Sequence, residues 1–147
     1  VLKLLTRART QLAEILSAFE FLDAGCMVSA TQLPGVTNPL VNAGASPFYV
    51  LLETHGSNAD HDTQKMNTFL QGALSSDQAQ GGVRASSATQ AAAMWAVREG
   101  IAVSLGQQGC VYKYDVSVPQ VAMYSLVERL RARLAVAGLT HPVLSVV

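Results

Sequence analysis

The chain has 147 residues, half of them hydrophobic and only 14% charged, with ten basic residues against ten acidic ones and a sequence pI of about 7.0. A single domain of this length can bury a core without disulfides or metals, and the lack of a concentrated basic face excludes nucleic acid as a partner. Cys26 and Cys110 match no metal or redox spacing and read as packed thiols in a reducing compartment, and no apolar run reaches the roughly 18 residues of a membrane span.

Nothing at Val1 reads as a signal or transit peptide, and the apolar run 143–147 stops abruptly, so both ends read as cuts. The low charge fraction suggests a surface partly covered by another domain or by partner chains. Leu12, Ile15, Leu16, Phe19 and Leu22 recur at helical spacing and predict a helix over about residues 8–22. Pro34, Gly35, Pro39, Gly44 and Pro47 mark a long loop, and the apolar run 48–52 predicts a buried strand. Asn58, Asp60 and Asp62 are capping candidates for a helix over about 63–74. Gly81 and Gly82 turn the chain into a short predicted strand near Val83. Ser87 with Gln90 three residues on is a capping box, opening a helix to about Leu105. A strand is predicted over 110–116, a helix from Pro119 to near Gly138, and a last strand over 143–147.

Alternation of strands and helices fits a doubly wound sheet, but no glycine-rich phosphate loop follows any predicted strand. The pattern predicts an α+β fold instead, a ferredoxin-like antiparallel sheet with helices on one face.

Arg98 is the most informative position. It shares a helical stripe with Met94, Trp95, Ile101, Ala102 and Leu105, and a charge in an apolar stripe needs a counter-charge or hydrogen-bond acceptors. The simplest account is an internal pair with an Asp or Glu. The functional one is a guanidinium fork for a substrate carboxylate. Lys113 shares a strand face with Val111 and Asp115, which reads as a solvated polar face or as a second cationic contact to the same anion. His55, His61 and His141 have no metal-binding spacing, and Glu14 and Glu20, six apart on the predicted helix, cannot act together. Arg129, Arg131 and Arg133 read as a solvated helix face. No catalytic residue and no metal ligand is assigned.

Residues 14–24, 46–54, 56–59, the Met-Trp-Ala-Val-Arg-Glu block at 94–99 and the Val-Tyr-Lys-Tyr-Asp block at 111–115 resemble the D-2-hydroxyglutarate dehydrogenase family. This is a group of FAD-linked oxidases with a vanillyl-alcohol-oxidase-type fold. The resemblance implies that residues 1–147 are the first part of a C-terminal substrate (cap) domain, with the FAD domain and a zinc-binding segment outside the chain. It implies oxidation of a D-2-hydroxy acid to the 2-oxo acid in the mitochondrial matrix, with FAD and zinc as cofactors and electron-transfer flavoprotein as electron acceptor. It implies Arg98 and Lys113 as contacts to the substrate's acid groups. Family members carry threonine where this chain has Ala102 and arginine where it has Gly100. The rival readings are an enzyme-derived remnant serving as a structural subunit of a larger assembly and a regulatory module binding a small dicarboxylate.

Overall fold

A computed structural model describes residues 1–139. The first helix, α1 (Leu2–Gln11), buries Leu4 and Ala8, with Leu12 buried at its C-cap, a spacing of four that keeps all three on one stripe. From Leu16 the period changes to two, and strand β1 (Leu16–Asp23) runs antiparallel to β2 (Phe48–Thr54). The helix predicted over 8–22 is therefore a helix end, a turn and a strand. Its apolar spacing satisfies both periods, and the aromatic residues Phe19 and Phe21 alternating with Glu20 and Leu22 favour the extended form.

Short α2 (Ala24–Ala30) follows β1 directly, because Asp23 Oδ1 accepts from the Cys26 amide at 2.9 Å and caps it. The other Asp23 oxygen, Oδ2, accepts from Arg131 Nη2 at 3.1 Å. Helix α3 (Ala59–Ser75) begins four residues earlier than expected. Asn58 is its cap, accepting from the amides of Asp60 and His61. Helix α4 (Ala88–Gln108) has Ser87 as N-cap. Gln90 reaches back to the amide and hydroxyl of Ser86, one residue before the partner that a capping box implies.

Neither Val83 nor residues 110–116 form a strand, so the sheet has two strands among the described residues. A 3-10 turn (Gln120–Ala122) leads from Pro119 into α5 (Met123–Val136). That helix closes on Gly138, whose φ of +77° lets its own amide and that of Leu139 bond back to Ala135 and Leu134. The strand predicted over 143–147 and His141 lie outside the described residues.

The α+β class and the antiparallel pairing are as expected, but the helices lie on both faces of the strand pair instead of one, because both faces carry apolar residues. Phe19, Val50 and Leu52 point to a cluster built on Leu4, Ala8, Leu12 and Phe69 of the α1–α3 side. Leu22 and Tyr49, cross-strand partners on the opposite face, meet Cys26, Val97 and Ile101 of the α2–α4 side. Cys26 is buried, Cys110 is exposed, and no disulfide joins them. No helix among the described residues is long and apolar enough to cross a membrane.

Candidate functional site

A groove of about 900 Å³ runs beside β2, between α3, the loop after it and the first half of α4. Met94, Trp95 and Arg98, one stripe of α4, all line it. Arg98 is half-buried, and its Nε donates to Glu20 Oε2 at 2.9 Å. Period-two geometry turns Glu20 to the same sheet face as Leu22, the face on which α4 packs. Among the described residues, no acceptor meets the terminal nitrogens of Arg98. The internal ion pair named from the sequence is thus present through Nε, and the two terminal nitrogens remain as donors.

The sequence singled out the cation and missed its partner. With residues 8–22 read as a helix, Glu20 stood on no particular face. The signal that would have found it is the alternation from Ala18 to Leu22, which puts a carboxylate between two apolar residues of one strand face. Glu14 and Glu20 lie on different elements and serve different partners. Glu14, in the turn before β1, pairs with Lys65 of α3, and that hydrogen bond holds its carboxyl below the usual glutamate range.

Lys113 is exposed on an irregular segment and is not one of the groove's lining residues, so the structure does not bring it to Arg98. His55 lines the groove, whereas His61 bonds the adjacent Asp62 carboxylate at 3.2 Å. Of the three arginines read as a solvated face, Arg131 is not merely solvated. It donates to the Tyr124 hydroxyl at 3.0 Å and to the buried Asp23, and these contacts push its pKa up. Gly100 is buried where α4 meets the chain after α2. A Cβ there would come within 2.9 Å of Leu33 Cδ1. An arginine at this position therefore needs Leu33 to move. Ala102 is exposed.

A family model described as FAD linked oxidases, C-terminal domain, matches residues 1–146. The chain belongs to the FAD-linked oxidase family. Within it, the chain is 44% identical over 134 residues to the mitochondrial D-2-hydroxyglutarate dehydrogenase of Rattus norvegicus, covering 91% of this chain and 24% of that protein. It is 44% identical over 133 residues to the mitochondrial enzyme of the same name from Arabidopsis thaliana, covering 90% and 23%. Against a putative mitochondrial D-lactate dehydrogenase of Schizosaccharomyces pombe it is 40% identical over 153 residues, covering 100% and 29%. The chain spans about a quarter of the length of the curated relatives it matches. The structural-subunit reading has no support among these oxidoreductases.

The FAD of an FAD-linked oxidase has no evident seat on these residues. Both strand-to-helix junctions, where a cofactor pyrophosphate commonly binds, are closed by the chain's own side chains, Asp23 on α2 and Asn58 on α3. Zinc finds no ligand set either, since no three His, Cys, Asp or Glu residues among those described are grouped to hold a metal.

Proposed function

We propose that this chain is the acid-binding part of the substrate domain of a flavoenzyme that oxidises D-2-hydroxyglutarate, or a related D-2-hydroxy acid, to the 2-oxo acid. The observation that carries the reading is Arg98 itself, lining the groove, held at Nε by Glu20 and left with two donor nitrogens for a carboxylate. A groove of about 900 Å³ has room for a small dicarboxylate, and its apolar walls (Met94, Trp95) strengthen the attraction between the two charges by excluding water. Lys113 is the second acid-group contact in this reading.

The names of the relatives favour a mitochondrial enzyme. FAD, and zinc if the enzyme uses it, would be held by residues outside this chain, which contributes substrate orientation and charge neutralisation. Electron-transfer flavoprotein is the proposed acceptor of the electrons. Ala102 offers no hydroxyl to the substrate, so binding rests more heavily on the cations than where a threonine stands.

The test is the full-length enzyme carrying Arg98→Ala. Losing a charge-assisted fork costs about 1.5–3 kcal/mol, so the KM for D-2-hydroxyglutarate should rise roughly 10- to 100-fold. An unchanged KM removes Arg98 from the substrate site.

A further inference from the structure

A second, smaller groove of about 680 Å³ lies along β1 and is walled mainly by apolar side chains. The larger one beside β2 carries the charge, and Arg98 is not its only guanidinium. Arg84, from the stretch between α3 and α4, lines it as well.

Local chemistry sets Arg84 in place. Gly81 and Gly82 let the backbone pass close against Ala43 on one side and Leu70 of α3 on the other, where a Cβ would collide with both. Two residues on, Arg84 Nε donates to Asn67 Oδ1 at 3.1 Å, and Asn67 lies one turn before Leu70 on α3. Arg84 Nη1 donates to the carbonyl of Ala85 at 3.3 Å. Among the described residues no acceptor meets Nη2, and no carboxylate pairs with this guanidinium. The contrast with Arg98 is electrostatic. Arg98 brings its own counter-charge in Glu20, whereas both acceptors on Arg84 are neutral and leave its charge uncompensated. The two also differ in exposure: Arg98 is half-buried beside Met94 and Trp95, and Arg84 is exposed.

We propose that Arg84 is a specificity-determining contact for the distal carboxylate of a diacid, while Arg98 holds the carboxylate next to the hydroxyl carbon. This deepens the substrate reading above and rests on it. Oxidation at C2 proceeds best in a site closed to water, which puts that end of the substrate at the half-buried cation. The distal carboxylate takes no part in the chemistry, so it can keep some of its water and meet the exposed one. A 2-hydroxy monoacid such as D-lactate has no group for Arg84, so the diacid gains a contact that the monoacid lacks. Lys113 lies off the groove and does not substitute for it.

Steady-state kinetics of the full-length enzyme with D-2-hydroxyglutarate, and with D-lactate as substrate or competitive inhibitor, test this. Arg84→Met keeps an unbranched side chain and removes the charge. It should raise KM for D-2-hydroxyglutarate about tenfold with kcat nearly unchanged, and move the KM or inhibition constant of D-lactate by less than about twofold. Arg84→Lys restores a charge without the fork and should recover part of the loss. Arg98→Ala, by contrast, should weaken both acids. Equal weakening of both acids in Arg84→Met marks a residue of the fold and overturns the proposal. So does an unchanged KM for D-2-hydroxyglutarate; if Arg98→Ala still raises that KM, the substrate reading stands without Arg84. If the enzyme does not oxidise D-2-hydroxyglutarate at all, the substrate reading is what fails. Calorimetry with glutarate then decides on Arg84: binding about tenfold weaker in Arg84→Met supports the diacid contact, and unchanged binding overturns it.

Discussion

Arg98 Nε and Glu20 Oε2 meet at 2.9 Å across 78 residues of sequence, joining α4 to β1 at the wall of the larger groove. Glu20 serves Arg98 as a positioning residue: it takes the one nitrogen that a bidentate end-on fork does not use and fixes the plane of the guanidinium.

Glu20→Ala in the full-length enzyme should therefore raise KM for the hydroxy acid by less than Arg98→Ala does, by about three- to tenfold, with kcat nearly unchanged. The pair is about one third exposed on both sides, so its own contribution to stability is at most about 1 kcal/mol. Glu20→Gln, which keeps an acceptor oxygen, should recover most of the loss. An equal effect of Ala and Gln on KM would show that charge, not orientation, is what Glu20 supplies.

Asp23 has two tasks, capping α2 through Oδ1 and holding Arg131 of α5 through Oδ2. Asp23→Ala leaves an uncapped helix and frees α5, at a cost of about 1–3 kcal/mol. Arg131→Ala should cost less, because Asp23 keeps its cap hydrogen bond. The denaturation midpoints of the two variants should fall in that order, and the double variant should resemble Asp23→Ala alone. Strictly additive effects would separate the cap from the tie.

Glu14 is exposed, and its pKa is lowered chiefly by the hydrogen bond from Lys65. A depressed folded-state pKa means that the contribution is present above the ordinary glutamate value of about 4.3 and is lost as pH falls through the lower folded value. The link between the β1 approach and α3 should thus weaken as pH falls below that ordinary value. Lys65→Met should move the Glu14 titration, followed by carboxyl carbon NMR, back up toward the ordinary range. No movement would assign the shift to the backbone of Glu14 instead.

Much of this molecule could be read locally. The stop signals and caps of α3 and α4, the strand at β2 and the need of Arg98 for a negative partner all follow from residues within one or two turns of each other. The β1 segment could not be read this way, because its apolar residues satisfy helix and strand periods alike. Pairing with β2 decides between them. Arg131 looked like its neighbours Arg129 and Arg133, since nothing within α5 announces that Asp23 lies beside it.

Residue identity and short-range spacing were enough for the family, for the Ser87 cap that opens α4 and for the need of Arg98 for a negative partner. Tertiary structure alone decided which carboxylate meets Arg98, which arginine of α5 is tied down, and that Lys113 stands apart from the Arg98 groove. Each depends on elements distant in sequence being brought within hydrogen-bonding reach, and spacing along the chain carries no record of that distance.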